Sequence, residues 1–511
     1  MKILDCTFRD GGYYTNWDFN SLTVDTYINA MNILPVDYLE VGYRNNPAKE
    51  YLGKFGYSPV SVLKHLRETC AKKIVVMLNE KSTRPEDCDS LLGPIAGLAD
   101  MVRIAIDPKN FDRAVVLAKA VKAMGFEVGF NCMYMSKWSS EYDGFLKKLP
   151  ALDSFCDLFC MVDSYGGVTP EDVTNIYKEV RANTTVSVGF HGHNNLQLGL
   201  INTITAIKLG VDYVDATILG MGRGAGNVNM ELLLTYLNAH EDMQVDFNVL
   251  GDVISAFTPL MNKYQWGTNL PYMLAGANCI PQKEVMDWVT NRVYSFNSIV
   301  RALENRKNHK ADNAKYPVLE CTKKFDRVLI VGGGNSVAEH FDGIKDYISG
   351  NENIAVIFST ARHAKLFQNI HCPKFYILMG RESRRLAANI ETANFTDTAI
   401  LPPYPRIMGT DVPEFVVQRT YELKEITFTS AYQDSCTTLA IQTAIEISFG
   451  TPFLVGYDGY PGNVLSEKEM ALSYENRTIF EAYNQTMNKP LISLTPSLYK
   501  ELIVKSVYQC I

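Results

Sequence analysis

Two histidines separated by one glycine, His191 and His193, are the residues of this chain whose types and spacing most directly suggest chemistry. They follow residues 185–190, a β-branched and apolar run that predicts a buried strand. Residues two apart on a strand point to the same side, so both imidazoles can face one point. Two neutral imidazoles so placed favour a divalent-metal site, although two polar residues at a strand end are the alternative.

A second polar group, Arg9 and Asp10, follows the strand predicted at Ile3–Cys6 and precedes two glycines. Asp10 can supply the carboxylate of a two-histidine, one-carboxylate metal site. Arg9 can hold a substrate carboxylate or stabilise a developing enolate oxygen. The alternative for this segment is a turn with a solvated ion pair.

The elements that must position these residues form a regular alternation of strands and helices. Eight such strands predict a (β/α)8 TIM barrel, whose active site lies at the carboxyl ends of the strands. His191 and His193 then fall at that end of the seventh strand. The predicted strands are Ile3–Cys6, Tyr38–Val41, Ile74–Leu78, Met101–Ile106, Glu127–Asn131, Leu158–Val162, Val186–Phe190 and Tyr213–Thr217.

Further polar and glycine residues fall at the same ends of the predicted strands. Glu40 is a charge inside an apolar run, so we expect it to pair with Arg9, Arg44 or another cation at the barrel mouth, where it is a candidate to contact substrate. Asp163 follows the sixth strand, either with a functional role or as a loop anchor. The eighth strand leads into a glycine-rich loop, in which Gly222, Gly224 and Gly226 can place backbone N–H groups against an anion; a close-packed turn is the alternative.

Three motifs occur in order on this pattern: Asp-x-Thr-x-Arg-Asp-Gly from Asp5, His-x-His from His191, and Gly-x-Gly-x-Gly-Ala-Gly-Asn from Gly220. Together they resemble the HMG-CoA-lyase-like (DRE-TIM) superfamily of metal-dependent aldolases, lyases and acyl-transferring synthases. The resemblance covers roughly Met1–His240 and is nearest to 4-hydroxy-2-oxovalerate aldolase-like proteins. It implies a Mn²⁺ or Mg²⁺ ion bound by Asp10, His191 and His193, with Asn227 near that metal. It also implies that Arg9 stabilises an enolate.

Departures from the family pattern favour one activity over the others. Tyr13 stands where the pyruvate-forming aldolases have a catalytic histidine, so Tyr13 or Tyr14, directly or through water, is the candidate base. The glycine loop has no cysteine, unlike hydroxymethylglutaryl-CoA lyases, and Arg223-Gly224-Ala225 is nearer the aldolase form than the synthase form. We therefore expect an aldolase or retro-aldolase acting on a 2-oxo acid and an aldehyde.

Three alternatives to the aldolase stay open at this stage. The first is a Claisen-type enzyme that condenses an acyl-CoA with a 2-oxo acid at the same metal site. The second is a catalytically inactive barrel in an interaction protein, which Tyr13 would favour. The third places the activity in the C-terminal part of the chain, as a nucleotide- or sugar-binding domain.

The remainder of the chain predicts a helical extension and a second domain. We expect the barrel at residues 1–245, a helical extension and linker at 246–312, and a Rossmann-like α/β domain at 324–511. The strand Arg327–Val331 and the following Gly332, Gly334, Asn335 and Ser336 suit a phosphate at a helix N-terminus. The dinucleotide fingerprint fails at Val337 and at the end of the next strand, so NAD is not expected.

Composition narrows the classes of partner and compartment. The 511 residues carry a net charge of −7, which argues against nucleic acid as a partner. No apolar run of about 18 residues predicts a membrane span, and no secretory leader is evident. The 11 cysteines lack a Cys-x-x-Cys pair and are expected as reduced thiols. We expect a cytoplasmic protein, with a homodimer as a possible assembly.

Overall fold

The structure is a computed structural model of the 511-residue chain, and its described residues form two compact units. The units are Met1–Met286 and Asp287–Ile511. The described residues are 1–48, 51–142, 144–290, 296–310, 314–321, 324–380, 382–393, 395–406, 408, 411–461 and 467–511. The predicted helical extension and linker at 246–312 spans the division between the units, and its residues 291–295, 311 and 312 lie outside the described residues.

The first unit is a closed barrel of eight parallel strands, in which β1 pairs with both β2 and β8. This confirms the predicted (β/α)8 fold, with strand bounds that differ from the prediction by at most two residues at either end. The strands are β1 Lys2–Asp5, β2 Tyr38–Tyr43, β3 Lys73–Asn79, β4 Met101–Ile106, β5 Glu127–Cys132, β6 Leu158–Asp163, β7 Ser187–Gly192 and β8 Tyr213–Ala216.

Helices surround the barrel and bury one apolar face each against it. In α6, for example, Phe111, Ala114, Leu117 and Val121 are buried at helical spacing. The helices of the barrel are α1 Thr7–Thr15, α2 Ser21–Ile33, α3 Lys54–Tyr57, α4 Val60–Thr69, α5 Cys88–Leu92, α6 Phe111–Ala123, α7 Trp138–Glu141, α8 Pro170–Asn183, α9 Gly199–Leu209 and α10 Met230–His240. Short 3₁₀ helices lie at Pro85–Asp87, Gly93–Ile95, Pro108–Asn110, Met135–Lys137, Leu146–Leu152 and Ile218–Gly220.

The predicted helical extension follows the barrel. It comprises α11 Phe247–Tyr264, α12 Leu270–Ala277 and α13 Gln282–Thr290. Trp266, between α11 and α12, is buried and donates from its indole N–H to the carbonyl of Leu219 at 2.9 Å. The segment after α11 therefore packs on the glycine-rich loop that follows β8.

The segment around Arg9 and Asp10 differs from the turn that two glycines suggest, because it forms helix α1 directly after β1. A Cβ atom on Gly12 would lie 2.1 Å from the indole ring of Trp17. The indole N–H of Trp17 donates to the carbonyl of Arg9 at 2.8 Å. Glycine is therefore needed for close packing inside this helix, and that packing fixes the backbone of Arg9.

The buried carboxyl group of Asp5 gives the barrel a specific pH dependence. It accepts hydrogen bonds from the backbone N–H and hydroxyl of Thr7 at 2.8 and 2.9 Å, and from the hydroxyl of Tyr27 at 2.5 Å. Burial nevertheless raises the pKa of Asp5 to about 6. The native state thus binds this proton more tightly than the unfolded chain, and the free energy of unfolding falls as the pH rises from about 4 to about 6.

We expect Asp5→Asn to remove this dependence. Relative to the variant, the wild type should lose about 2 kcal/mol in free energy of unfolding between about pH 4.5 and about pH 7.5. Urea unfolding of both proteins at the two pH values measures the difference. Parallel pH profiles for the two proteins would contradict the raised pKa of Asp5.

The second unit is an α/β domain around a parallel sheet of order β13-β12-β11-β10-β9-β14-β15-β16, with an apolar core on each face. Its strands are β9 Arg327–Val331, β10 Ile354–Phe358, β11 Lys374–Ile377, β12 Thr398–Leu401, β13 Thr420–Glu422, β14 Phe453–Val455, β15 Ile492–Ser493 and β16 Ile503–Val504. Its helices are α14 Phe296–Lys307, α15 Ser336–Glu339, α16 Phe341–Ser349, α17 Glu382–Asn389, α18 Cys436–Ile447 and α19 Glu467–Met487, with 3₁₀ helices at Ala361–Phe367, Glu414–Arg419 and Val507–Gln509. The strand order reverses between β9 and β14, as in doubly wound folds.

Among the described residues, no helix combines the length and the apolar content that crossing a bilayer requires.

Candidate metal centre

The two histidines lie at the carboxyl end of β7, and their rings are close together, with centroids 4.9 Å apart. Nδ1 of His191 contacts a carboxylate oxygen of Asp215 at 2.8 Å, and Nδ1 of His193 contacts the carbonyl of Asp163 at 2.7 Å. Because both partners are acceptors, each Nδ1 carries the ring hydrogen and donates it. Each Nε2 is then left with its lone pair, which is how metal-binding histidines are usually held.

Asp10 and Asn227 lie beside the Nε2 atom of His191. Oδ2 of Asp10 is 3.6 Å from that nitrogen and accepts a hydrogen bond from the amide of Asn227 at 2.8 Å. Burial opposes ionisation of Asp10, but Arg9 and the two histidines outweigh it and lower its pKa. Burial lowers the pKa of His193 to about 3, which keeps its ring neutral. The group therefore offers an ionised carboxylate and neutral imidazole nitrogen at neutral pH.

These residues fit a divalent cation. Two imidazole nitrogens and one carboxylate are a recurrent ligand set with open positions for substrate oxygens. The side-chain oxygen of Asn227 is buried and accepts no hydrogen bond from the described residues, so a polar group is available for a further partner. The structure brings together Asp10, His191, His193 and Asn227, the four residues predicted for the metal.

A different set of donors, Cys6, His191 and Asp215, has its ligand atoms within 4.8 Å of one another. Burial raises the pKa of the Cys6 thiol well above its usual value, so it stays protonated. Asp215 accepts a hydrogen bond from the guanidinium of Arg103 at 2.8 Å as well as from His191. Both properties disfavour metal on this side of the His191 ring and leave the Asp10 side as the better site.

A buried ionic network continues from the metal-ligand candidates into the barrel. Arg9 donates to a carboxylate oxygen of Asp10, and its Nε donates to Glu40 at 2.5 Å. Arg103 donates to the other oxygen of Glu40 at 3.1 Å and to Asp215 at 2.8 Å. Burial opposes ionisation of Asp215, but Arg103 and His191 outweigh it and lower its pKa to about 2. The network holds Arg9 and His191 in fixed orientations.

Glu40 is fully buried, and both of its oxygens are bound by guanidinium groups. One partner, Arg9, was expected, and the other is Arg103 of β4. The guanidinium of Arg44 instead donates to the carbonyls of Leu91 at 2.8 Å and Tyr57 at 3.0 Å. This geometry places Glu40 behind Arg9, where it positions the arginine.

Tyrosines and one arginine surround the entrance to the ligand candidates. The hydroxyl groups of Tyr13 and Tyr43 are 3.2 Å apart, and the guanidinium of Arg223 lies 4.8 Å from the centre of the Tyr13 ring. Tyr14 donates instead to the carbonyl of Gly224 at 3.2 Å, and burial raises its pKa to about 12. Of the two tyrosines named as candidate bases, Tyr13 is the one that lines the cleft described next.

A cleft of about 710 Å³ opens above the candidate metal centre within the first unit. Its volume falls in the range of about 300–1,000 Å³ that is usual for small-molecule sites. The side chains along it include Arg9, Asp10, Tyr13, His191, His193 and Arg223. Pro281, Gln282 and Lys283 of the helical extension also line it, so the extension forms part of the site.

The glycine-rich loop is a tight turn that carries Asn227. The N–H of Gly226 donates to Arg223 and that of Asn227 to Gly220, at 3.2 and 3.0 Å. These two N–H groups are therefore used within the loop rather than facing an anion. Gly222 lies directly against the Asn227 amide, where a Cβ would be 2.7 Å from Nδ2.

We expect Gly226→Ala to displace Asn227 and lower the free energy of unfolding by about 1–3 kcal/mol. Gly226 has a φ of +79°, and a Cβ there would lie 2.3 Å from the carbonyl oxygen of Gly220. Thermal unfolding measures the effect. Gly251→Ala is the control, because Gly251 is exposed in α11 with open space around it, and it should gain about 0.5–1 kcal/mol. Equal stability of the two variants would contradict the role given to Gly226.

Of the four residues predicted to bind phosphate in the second unit, Gly332, Gly334 and Asn335 lie between β9 and α15, and Ser336 begins α15. The backbone N–H and hydroxyl of Ser336 donate to the carboxylate of Asp458, the former at 3.0 Å. A Cβ on Gly334 would lie 2.4 Å from that carboxyl group, and a Cβ on Gly332 2.5 Å from the carbonyl of Gly456. Asn335 accepts a hydrogen bond from Arg362 at 3.2 Å. A protein carboxylate thus occupies the position predicted for a phosphate.

Comparisons with known proteins assign the family. The family model described as HMGL-like matches residues 102–255. The chain is 31% identical over 245 residues to the 4-hydroxy-2-oxovalerate aldolase of Chloroflexus aurantiacus, covering 46% of this chain and 69% of that protein. It is 28% identical over 244 residues to the oxaloacetate decarboxylase of Mycobacterium tuberculosis, with the same coverage of 46% and 69%.

A solved structure agrees with these matches. The N-terminal domain of a candidate aldolase from Bacteroides vulgatus is 73% identical, with a TM-score of 0.57, and covers 59% of this chain and 100% of that domain. The chain belongs to the HMGL-like family, which has aldolase and lyase members. Aldolases of this family depend in general on a divalent metal.

Proposed function

We propose that the first unit is a divalent-metal-dependent aldolase or lyase that makes or breaks a carbon–carbon bond next to the carbonyl of a 2-oxo acid. The observation that carries this proposal is the convergence of Asp10, His191 and His193 beside Arg9 at the carboxyl ends of the strands. The relatives named as an aldolase and as a decarboxylase both act on 2-oxo acids by their names, which supports the same substrate class.

In this proposal Asp10, His191 and His193 hold Mn²⁺ or Mg²⁺, with Asn227 beside them. The bound cation supplies Lewis-acid polarisation of the substrate carbonyl. The guanidinium of Arg9, fixed by Glu40 and Asp10, donates to the oxygen on which enolate charge develops. Arg103, through Glu40 and Asp215, keeps Arg9 and His191 in the orientations that this requires.

Tyr13 is the proposed acid–base group. In the bond-forming direction its hydroxyl donates a proton to the aldehyde oxygen as the new hydroxyl group forms, directly or through water. In the cleavage direction the Tyr13 oxygen takes this proton back from the hydroxyl group of the substrate. The Tyr43 hydroxyl, 3.2 Å away, orients Tyr13.

Exchange of the methyl protons of pyruvate with D₂O, followed by NMR, tests the enolate step without any aldehyde. We expect exchange in the presence of Mn²⁺ or Mg²⁺ and none after chelation. An aldehyde screen with pyruvate then tests whether the second substrate is an aldehyde. An oxaloacetate assay tests the alternative reaction, in which carbon dioxide leaves. Absence of exchange with every divalent metal would overturn the proposed function.

A further inference from the structure

Arg223 is a cation that lacks an anionic partner within the described part of the chain. Its guanidinium stacks 4.8 Å from the Tyr13 ring centre, its side chain is partly buried, and its Nε is buried without a hydrogen-bond acceptor among the described residues. No described carboxylate lies within 4.0 Å of it, whereas Arg9 and Arg103 each pair with two carboxylates. Holding a partly buried cation unpaired costs stability, which a bound anion would offset.

The position of Arg223 relates this cation to the substrate. Arg223 lines the same cleft as His193 and Tyr13. Burial and His191 lower the pKa of His193, and the charge of Arg223 adds a smaller effect in the same direction, as expected for neighbouring groups. Arg223 therefore faces the space beside Tyr13, where a second substrate must present its carbonyl to be protonated.

Further positively charged side chains line the remainder of the cleft. Lys81 and Lys283 line it with exposed side chains, and neither forms an ion pair with a described carboxylate. Lys109 also lines it, but already pairs with Asp107 at 2.8 Å. A three-carbon oxo acid and a two-carbon aldehyde would fill only part of a cleft of about 710 Å³. Three carboxylates, Asp10, Glu80 and Asp107, also line the cleft, but each is paired with a cation. The free space is thus large, and the unpaired charges around it are positive.

We propose that the acceptor aldehyde carries an anionic group, a phosphate or a carboxylate, which Arg223 binds. This inference rests on the proposed function. Tyr13, directly or through water, takes a proton from the methyl group of pyruvate, and the resulting enolate carbon forms a bond to the aldehyde carbon. The carbonyl π electrons move to the aldehyde oxygen, and Tyr13 returns the proton to that oxygen. The product is a 4-hydroxy-2-oxo acid that retains the anionic group, and no oxidant or reductant is consumed. Arg223 is a specificity-determining residue because its contact selects among aldehydes.

Matched pairs of aldehydes test the inference in the full-length protein loaded with Mn²⁺. D-Glyceraldehyde 3-phosphate is compared with D-glyceraldehyde, and succinic semialdehyde with butyraldehyde, as the ratio of kcat/KM in condensation with pyruvate. We expect the wild type to prefer the charged member of at least one pair by about 10- to 100-fold, and the pair that shows it identifies phosphate or carboxylate. Arg223→Gln should reduce that preference to within about threefold, and Arg223→Lys should keep part of it.

The controls separate local recognition from general charge and from failure of the enolate step. Lys109→Gln removes one positive charge from the same cleft but one that is already paired, so it should change the preference less than about twofold. Exchange of pyruvate methyl protons should persist in Arg223→Gln. Absence of this exchange in the wild type would refute the proposed function itself.

Three results would overturn the inference while leaving the enolate chemistry intact. In the first, the wild type favours neutral aldehydes or accepts none. In the second, the preference for charged aldehydes survives in Arg223→Gln. In the third, the KM of Arg223→Gln for pyruvate rises by the same factor with every aldehyde. The last result would assign Arg223 to the carboxylate of the 2-oxo acid. The wild-type comparison needs no variant, so it decides the question even where Arg223→Gln does not fold.

Discussion

Arg9→Gln is expected to slow exchange of the methyl protons of pyruvate by about 100- to 1,000-fold while Mn²⁺ still binds. Arg9 is nearly buried and is held by Asp10 and by Glu40, the latter at 2.5 Å, so its donors are fixed before substrate arrives. Glutamine retains a hydrogen-bond donor but neither the charge nor the planar set of donors. NMR exchange rates at saturating pyruvate measure the effect.

Two controls distinguish this role from a structural one. Arg9→Lys keeps the charge and should have an intermediate rate. Calorimetry should find Mn²⁺ affinity unchanged or increased in Arg9→Gln, because Asp10 loses a competing cation. An exchange rate within threefold of the wild type would show that Arg9 does not stabilise the enolate.

Arg103→Met is expected to lower the free energy of unfolding by about 3–5 kcal/mol. Arg103 is fully buried in β4 and donates to Glu40 at 3.1 Å, to Asp215 at 2.8 Å and to Asn131 at 2.5 Å. Methionine is similarly long and apolar, so the main change is the loss of the cation. Two buried carboxylates then lose a compensating positive charge, and urea unfolding measures the cost.

Lys148→Met is the matched control for a lost ion pair. Lys148 pairs with Asp112 at 2.7 Å, but the two side chains are 49% and 80% exposed, so the expected loss is below about 1 kcal/mol. Arg103→Met should also weaken Mn²⁺ binding, because Asp215 fixes His191. If Arg103→Met were no less stable than Lys148→Met, the buried network would not support the barrel.

The barrel could be predicted because its signals are local and repeated. Eight apolar, β-branched runs alternate with helical patterns, and both histidines follow the seventh run on one side of the strand. Helix α8 begins with a Thr169 cap and Pro170 at the first helical position, a combination that is itself a local sequence signal. Such features depend on neighbouring residues, so the chain alone carries them.

The features that could not be predicted depend on contacts between distant parts of the chain. Gly11 and Gly12 indicate a turn by composition, but packing against Met221 and Trp17 places them in a helix. Arg103 and Asp215 were missed, although each is a charge inside an apolar strand, the signal that identified Glu40. A search of every predicted strand for such charges would have found the network, but not its pairing.

The second unit shows the same limit. Its parallel sheet and the strands β9 and β10 follow from the sequence, whereas the contact of Ser336 with Asp458, 122 residues away, does not. A glycine-rich turn after a strand is compatible with a phosphate or with a side chain of the protein. Only the folded structure shows which group occupies the turn.

Mn²⁺ binding by calorimetry, with and without pyruvate, most directly tests the central claim that Asp10, His191 and His193 form a metal centre for a 2-oxo acid. We expect micromolar binding by the wild type that tightens with pyruvate, because the open positions of the metal accept substrate oxygens. His191→Ala should lose this binding while remaining folded by circular dichroism. A wild type that binds no Mn²⁺, or a His191→Ala variant that binds it equally well, would contradict the account.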